Sequence, residues 1–223
     1  MKRKVAVSWS GGKDCCMVLD HLINEGHEIA YLLTTLPKEI GRTFGHSEKA
    51  EQIQQQSLSL GIPVHFIHCT FESYTERFIQ DLTNLKENHG VTAIAYGDLY
   101  LEGHREWGEK VAASAGIEAI YPLWSTEEQS LTQLKNFVNA GYKAIVIKVH
   151  NDFLDESWLG RELNETFIED ISKLPVCPMG EHGEFHTFVY DGPLFKETIP
   201  FHTGAILSLE HSKRLEIMAA STI

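Results

Sequence analysis

The stretch Val5-Ala6-Val7-Ser8-Trp9-Ser10-Gly11-Gly12-Lys13-Asp14-Cys15-Cys16 decides the fold. Its apolar first part, Val5 to Trp9, predicts a buried strand. A Ser-Gly-Gly turn follows, and the apolar residues after it then recur at helical spacing: Cys16, Val18, Leu19, Leu22 and Ile23. The first N–H groups of a helix have no partner within the helix, and the helix dipole adds partial positive charge to them. Strand, turn and helix start therefore predict an anion site, with phosphate as the expected occupant.

The residues of the turn support this interpretation. Two adjacent glycines let the backbone bend and bring its N–H groups close to a ligand, and Lys13 adds a full positive charge. The loop is neither a P-loop nor Gly-x-Gly-x-x-Gly. It resembles the Ser-Gly-Gly-x-Asp-Ser loop of the N-type ATP pyrophosphatases, which cleave ATP between its α and β phosphates. Cys15 stands where that family has serine, and a thiol is a weaker hydrogen-bond donor than a hydroxyl.

Length and composition favour a globular protein. A chain of 223 residues can form one large α/β domain, or a main domain with a smaller appendage. The hydrophobic content of 43% is enough for a full core. We expect no signal peptide, because the apolar run after the basic Met1–Lys4 segment is too short, and no membrane span. Four cysteines form no disulfide framework, which predicts a reducing, cytoplasmic location.

The charge balance argues against a nucleic-acid partner. Acidic residues outnumber basic ones by 31 to 19, so the formal net charge is −12. Such a surface repels phosphate backbones unless a basic patch compensates, and the only basic cluster is Lys2-Arg3-Lys4.

Strands and helices alternate along the first half of the chain. Predicted strands follow at Glu28–Thr35, Val64–His68 and Val91–Tyr96, with helices over 16–24, 46–60 and 74–88. The alternation predicts a parallel, doubly wound α/β sheet with right-handed crossovers. In such sheets the carboxyl ends of the strands bind ligands. That edge would carry the loop from Ser10 to Asp14, Thr34-Thr35, the polar loop up to Gly45, and Gly97-Asp98.

The segment from Gly97 to Trp107 holds further candidates. Asp98, at the end of a strand, could hold a magnesium ion or a substrate amine, and Arg105 could bind a phosphate or carboxylate. Alternatively, Asp98 caps a turn and Arg105 forms an ion pair with Glu102 or Glu109. An apolar strand or strand end, Ile120–Trp124, closes this unit.

The pattern changes after Trp124. A helix capped by Thr126–Gln129, a buried strand over Lys143–Val149 and a helix over Asn164–Lys173 predict a smaller C-terminal α+β lobe. We therefore predict an ATP-binding domain over residues 1–124 and a substrate-facing lobe over 125–223. The lobe contains Gly180-Glu-His-Gly-Glu-Phe-His-Thr187, where two carboxylates and two histidines suit acid–base work, metal binding or recognition of a polar substrate.

Several motifs occur together in one order. They are Ser-Gly-Gly-Lys-Asp at 10–14, Phe44-Gly45-His46, Gly97-Asp98 with Arg105, Pro122-Leu123-Trp124, and Gly-Glu-x-Gly-Glu-Phe-x-Thr at 180–187. Over nearly the whole chain this order resembles the diphthine–ammonia ligase family of ATP pyrophosphatases, in particular its short bacterial-type members. The resemblance implies a sheet like that of the adenine nucleotide alpha hydrolases. It also implies ATP and Mg²⁺ as cofactors.

The reaction implied by the resemblance has two steps. A substrate carboxylate, on a small molecule or a protein, attacks the α-phosphate of ATP, and ammonia then displaces AMP to form an amide. The implied nucleotide contacts are Ser8, Ser10, Gly11, Gly12, Lys13, Asp14, Cys15, Thr34, His46 and Gly97, with Asp14 and Asp98 as magnesium ligands. The implied catalytic residues are Lys13, Asp14, Asp98, Arg105, Glu181 and Glu184. A homodimer is possible.

Two other functions remain open. Related loops serve tRNA thiolation. That chemistry needs a reactive cysteine pair, for which Cys69 and Cys177 are the candidates. The other alternative is a sensor that binds ATP without turnover, which Cys15 would favour. Thiols at helix N-termini can have a lowered pKa, so Cys15 could also be redox-active. The simpler interpretation is that cysteine is a tolerated substitution for serine at this position.

Overall fold

Strands and helices alternate through the first 120 residues of the computed structural model, which describes residues 2–220. The strands are β1 (Lys4–Ser8), β2 (Glu28–Pro37), β3 (Val64–Cys69), β4 (Ala93–Ala95) and β5 (Glu118–Ile120). The helices between them are α1 (Lys13–Asn24), α2 (Ala50–Leu60), α3 (Tyr74–His89) and α4 (Glu102–Ala115).

The five strands form one parallel sheet in the order β3-β2-β1-β4-β5, which confirms the predicted doubly wound α/β architecture. The chain reverses its direction of winding between β1 and β4, so a crevice opens at the carboxyl ends of these two strands. Strand β1 lies at the centre of the sheet, and Val5, Ala6 and Val7 are fully buried. Helices cover both faces of such a strand, which explains its unbroken apolar run.

The structure differs from the sequence-based prediction mainly at element ends. Helix α2 begins at Ala50 rather than His46, because His46 and Glu48 make tertiary contacts and Ser47 has a φ of 60°. Strand β4 is shorter than the predicted Val91–Tyr96, and β5 ends at Ile120. The predicted strand Ile120–Trp124 is therefore wrong beyond its first residue: a turn follows, closed by Trp124 N–H donating to the Tyr121 carbonyl at 3.1 Å.

The rest of the chain forms a separate antiparallel sheet with two helices. Its elements are α5 (Ser130–Asn139), β6 (Lys143–His150), α6 (Glu165–Ile171), β7 (Phe185–Asp191), β8 (Phe201–Ser208) and β9 (Ser212–Ala219). The strand order is β7-β6-β9-β8. Thr126 and Gln129 form the predicted capping box ahead of α5. This confirms the expected α+β character of the C-terminal lobe.

The two sheets share one hydrophobic core. A single cluster contains Val5 of β1 and Leu19 of α1 together with Val146 of β6 and Phe188 of β7. The second sheet thus packs against the helix that follows the Ser-Gly-Gly loop, and this packing positions the site described below. Within residues 2–220, every helix is too short or too polar to cross a bilayer.

Candidate active site at the end of the parallel sheet

The Ser-Gly-Gly loop leaves β1 and is held in place by α2. The indole N–H of Trp9 donates to Gln56 Oε1 at 2.8 Å, and Gln56 Nε2 donates to the Gly11 carbonyl at 2.9 Å. Gly11 has a φ of +83°, a conformation that favours glycine. Because Gln56 is fully buried, its side chain fixes the path of the loop from below.

Strand β7 of the second sheet binds the same loop. Val189 N–H donates to the Gly11 carbonyl at 3.0 Å, and Lys13 N–H donates to Thr187 Oγ1 at 3.0 Å. The first residue of α1 is therefore held by a side chain from the other end of the chain. The loop is built by both sheets.

Lys13 lies beneath the loop rather than extending from it. Its side chain is only 3% exposed, its ammonium group donates to Asp14 Oδ2 at 3.0 Å, and it lies 5.1 Å from the centre of the Phe185 ring. The charge stays close to the helix N-terminus, where it adds to the positive potential of the first turn.

A cavity of about 540 Å³ opens above the loop, between the two sheets. Strand ends, the loop after β2, the start of α4 and the turn before β7 line it. The lining residues are Ser8, Ser10, Asp14, Cys15, Phe44, Gly45, His46, Tyr96, Gly97, Asp98, Leu101, His104, Gly180, Glu181, His182, Gly183 and His186. The structure thus brings together Ser8, Ser10, Asp14, Cys15, His46, Gly97, Asp98 and Glu181 of the predicted site.

Gly97 is the point at which β4 meets α1. A Cβ at this position would lie 3.1 Å from Asp14 Cβ and 3.3 Å from Cys15 N. A side chain at this position would need the strand end and the helix start to move apart by a few tenths of an ångström, so glycine favours the close approach.

Three carboxylates converge on one side of the cavity. Asp98 Oδ1 lies 2.9 Å from His104 Nδ1, and Glu181 accepts a hydrogen bond from Leu99 N–H at 2.8 Å. Burial, with the charge of Asp14 as a smaller contribution, raises the pKa of Glu181 to about 7. Burial also raises the pKa of Asp14, against the opposing charge of Lys13.

The residues fit a magnesium ion that also binds phosphate. Asp14 Oδ1 is buried and has no hydrogen-bond partner among residues 2–220, and Asp98 lines the same cavity. Within residues 2–220 no group of three or more protein ligands is placed to hold a metal by itself. Magnesium commonly takes one or two carboxylates and completes its shell with phosphates and water, which these two carboxylates allow.

A smaller cavity of about 170 Å³ lies next to the first and shares Ser8, Ser10 and Phe44 of its lining. The rest of its lining is mostly apolar or aromatic: Trp9, Leu33, Thr34, Thr35, Thr43, Tyr74 and Phe78. The Thr34 hydroxyl donates to the Trp9 carbonyl at 2.7 Å, so it shapes this cavity through the backbone. Phe44 covers it, with its ring centre 5.2 Å from that of Tyr74.

Cys15 is held within the loop, and its buried environment disfavours the thiolate. Its Sγ donates to the Gly12 carbonyl at 3.1 Å, and the Ser10 hydroxyl is 3.7 Å from the sulfur. Burial raises the pKa of the thiol to about 11, which is opposite to the lowered pKa considered above for a thiol at a helix N-terminus.

Cys69 and Cys177, the candidate pair for thiolation, do not share an apolar cluster. Both are buried, and each belongs to a different cluster.

Glu184 organises the turn before β7. Its side chain is buried, one carboxylate oxygen accepts from Cys177 N–H at 2.8 Å, and the other accepts from His182 N–H at 2.9 Å. Both oxygens are used on the backbone, and Glu184 does not line the cavity. The geometry therefore supports a positioning role rather than direct contact with substrate, whereas Glu181 faces the cavity.

Glu184→Gln is expected to lower the free energy of unfolding by about 2 kcal/mol, because one backbone N–H loses its acceptor and faces an amide NH₂ instead. Chemical denaturation measures the change. Glu210→Gln serves as the control, since its carboxylate is 85% exposed, and it should change stability by less than about 0.5 kcal/mol. Equal effects of the two variants would contradict the buried role of Glu184.

Arg105 is not brought into the cavity. Its guanidinium pairs with Glu109 Oε1 at 2.8 Å and lies 4.7 Å from the centre of the Trp124 ring. It lines a separate concavity beside the edge strand β5. The ion pair with Glu109 is one of the alternatives that the sequence left open, and the geometry does not support a phosphate contact.

Arg105→Ala should therefore leave kcat/KM for ATP unchanged, because Arg105 lies outside the cavity. The variant should also stay folded, since an exposed ion pair on a helix contributes little to stability. Steady-state kinetics of AMP release test this. A fall in kcat/KM of about a hundredfold is expected for loss of a group that stabilises transition-state charge. Such a fall would show that Arg105 belongs to the site.

Sequence reasoning missed several functional positions. Gln56 lies in a polar helix with no motif, and only the structure shows that it supports Gly11. Thr187 and His186 belong to the quoted C-terminal motif, but the contact of Thr187 with the Ser-Gly-Gly loop and that of His186 with His46 require the two sheets to meet. His104 lies in the first turn of α4 and reaches back to Asp98, six residues earlier, which precedes the helix.

A parallel sheet in this order, with a Ser-Gly-Gly loop and a carboxylate-lined cavity at its switch point, is the arrangement of the N-type ATP pyrophosphatases. Residues 3–119 match the family model of the diphthamide synthase N-terminal domain, and residues 129–220 match that of the C-terminal domain. The chain belongs to this diphthamide synthase family. The matches cover most of both halves of the sequence.

Curated relatives agree with this assignment. Proteins named diphthine–ammonia ligase from Mus musculus and Homo sapiens are each 30% identical, over 88% of this chain and 82% of their own length. The Schizosaccharomyces pombe protein of the same name is 28% identical over 91% of this chain. The chain spans only about a third of that relative, 36% of its length.

Proposed function

We propose that the protein is an ATP-dependent ligase that adenylates a substrate carboxylate and then amidates it with ammonia. The observation that carries this proposal is the cavity between the sheets, where the Ser-Gly-Gly loop, Asp14, Asp98 and Glu181 converge. The names of its relatives support ligation of ammonia to diphthine, a modified histidine of a translation factor. Diphthine is therefore the first carboxylate to test.

ATP would occupy both cavities. The smaller one offers aromatic and apolar walls to the adenine, and the Ser-Gly-Gly loop, with Lys13 below it, offers N–H groups and positive charge to the phosphates. A magnesium ion held by Asp14 and Asp98 would neutralise phosphate charge. The substrate carboxylate would enter the larger cavity on the side of the C-terminal turn.

Both chemical steps depend on positioning. A carboxylate oxygen attacks the α-phosphorus, and the bond to the β-phosphate oxygen breaks, so that pyrophosphate leaves with the electron pair. The nitrogen of ammonia then attacks the acyl carbon, and AMP leaves. A free carboxylate is a poor electrophile, whereas its mixed anhydride with AMP has a good leaving group. Fixed charges aimed at the phosphates are the main catalytic resource of such sites.

Glu181 suits the second step. It faces the cavity beside Asp14 and Asp98, an environment that attracts an ammonium cation. With a pKa of about 7, its carboxylate can accept a proton from the incoming nitrogen near neutral pH.

The rate of amide formation is therefore expected to rise with pH through about 7, because the deprotonated form of Glu181 is the proton acceptor. The measurement keeps the concentration of free ammonia constant while the pH is varied. Glu181→Gln should lower the rate and flatten the profile. The same rise in the variant would assign it to another group.

The decisive experiment follows the products. The purified protein is incubated with ATP, magnesium, ammonium and a translation factor carrying diphthine, and in parallel with a panel of small carboxylic acids. AMP, pyrophosphate and an amide are expected. ADP and phosphate would contradict the proposal, and ATP binding without any turnover would favour the sensor; in that case, activity appearing in Cys15→Ser would identify the thiol as the cause.

A further inference from the structure

Two histidines from different sheets lie side by side in the wall of the larger cavity. His46 belongs to the loop after β2, and His186 belongs to β7. Their ring centres are 4.6 Å apart. We call this pair the histidine wall.

The histidine wall adjoins the Ser-Gly-Gly loop. His46 Nδ1 donates to the Thr187 carbonyl at 3.1 Å, which leaves Nε2 free of that contact. Its Cε1 lies so close to Gly12 that a Cβ there would be 2.3 Å away. Within residues 2–220, no hydrogen bond to protein is present at either ring nitrogen of His186, which lines the cavity, so the ring can take a ligand without breaking one.

The surroundings of the histidine wall are positively charged. Lys148 of β6 donates to the Gly45 carbonyl at 2.8 Å, and Lys13 lies beneath the loop. Burial, with smaller contributions from the charges of Lys13 and Lys148, lowers the pKa of His46 to about 3, against the opposing effect of the hydrogen bond to Thr187. Burial, His46 and the same two lysines lower the pKa of His186 well below its ordinary value.

Lysines are the charged groups that act on both histidines. Lys13 is paired with the Asp14 carboxylate, whereas Lys148 donates to a backbone carbonyl. Asp14 and Asp98 act on Glu181 instead. An anion bound beside the histidines would therefore be attracted by Lys148 and, more weakly, by Lys13.

We propose that the histidine wall binds the two terminal phosphates of ATP together with the Ser-Gly-Gly loop, and takes up a proton as they bind. This rests on the proposed function and extends it, since the second sheet then contributes directly to nucleotide binding through His186. An anion placed against the histidines reverses the effect of Lys13 and Lys148, and an imidazolium gains a charge-assisted hydrogen bond to phosphate oxygen.

Calorimetry with inorganic pyrophosphate and with AMP, each in the presence of magnesium, tests this. The wild type should bind both, and His186→Gln should bind pyrophosphate about tenfold more weakly, as expected for loss of one hydrogen bond between charged groups. The affinity of the variant for AMP should be unchanged. His211→Gln is the control, because His211 is an exposed histidine of the β8–β9 turn, outside the cavity.

Proton uptake provides a second readout. Titrations in buffers with different ionisation enthalpies count the protons taken up per pyrophosphate, and the wild type should take up about one more than His186→Gln. His46→Asn should reduce both affinity and uptake, although it also loses the contact with Thr187. Thermal unfolding of each variant checks that it is folded.

The outcomes separate the two proposals. Wild-type-like affinity and proton uptake in His186→Gln would overturn the histidine wall and leave the ATP site intact. A loss of AMP affinity in the variant, with pyrophosphate unaffected, would assign the histidines to the nucleoside and also overturn it. A wild type that binds neither AMP nor pyrophosphate would contradict the proposed function itself.

Discussion

Gly11→Ala is expected to lower the free energy of unfolding by about 3 kcal/mol and to abolish pyrophosphate binding. The first cause is the backbone, since a φ of +83° costs a residue with a Cβ about 1–2 kcal/mol. The second is space: a Cβ at Gly11 would lie 2.8 Å from Gln56 Oε1 and 2.9 Å from Ile53 Cδ1. Both neighbours are buried, so the overlap adds about 1–3 kcal/mol.

Thermal and chemical unfolding measure this loss. For a chain of this size it corresponds to a fall in Tm of roughly 6–12 °C. Gly90→Ala is a matched control, because Gly90 has a φ of +68° but an added Cβ would meet no atom within 4 Å. Gly90→Ala should therefore show only the backbone cost, about 1–2 kcal/mol. Equal losses in the two variants would show that Gln56 and Ile53 do not confine the loop.

Asp14→Asn is expected to reduce the rate of AMP formation by about a hundredfold or more. Within residues 2–220, Asp14 Oδ1 is buried without a hydrogen-bond partner, and Asp14 lines the cavity in which we propose that the phosphates react. Groups placed beside developing charge commonly contribute two to three orders of magnitude. Asparagine still offers an oxygen to Lys13, but it removes the negative charge of a largely buried ion pair, so stability should also fall, and thermal unfolding checks that the variant is folded.

Product analysis with saturating ATP measures the rate. Asp20→Asn, on the same helix but outside the cavity, is the control, because the asparagine oxygen can still accept from Tyr142 Oη, which is 2.9 Å from the Asp20 carboxylate. It should retain full activity. An Asp14→Asn enzyme with wild-type kcat at every magnesium concentration would remove Asp14 from both the metal site and the catalytic residues.

The sequence was sufficient for features set by local pattern. The apolar run at Val5–Trp9, the glycine turn and the alternation of strands and helices are short-range signals, and they predicted the parallel sheet and the loop at its end. Gly97-Asp98 was located in the same way, because the carboxyl ends of parallel strands share one edge. These signals do not require knowledge of distant contacts.

Features that depend on the two sheets meeting could not be predicted in this way. The motif around Glu181 and Glu184 marked both acids equally, but only packing shows that one faces the cavity and the other holds backbone N–H groups. Arg105 could be assigned to a phosphate or to Glu109, and the choice depends on the side of α4 that Trp124 covers. The start of α2 was misplaced because tertiary contacts of His46 outweigh its local helical tendency.

The hydrogen bond from Lys13 N–H to Thr187 has a consequence for how the protein is made. Its two partners are 174 positions apart in the chain. On the ribosome, the loop and α1 leave the exit tunnel long before β7 is synthesised. A nascent chain can therefore form the parallel sheet, but it cannot complete the site that we propose for the nucleotide until β7 has been synthesised. ATP would then stabilise only chains that include β7, and a chain truncated before β7 would gain no protection from the ligand.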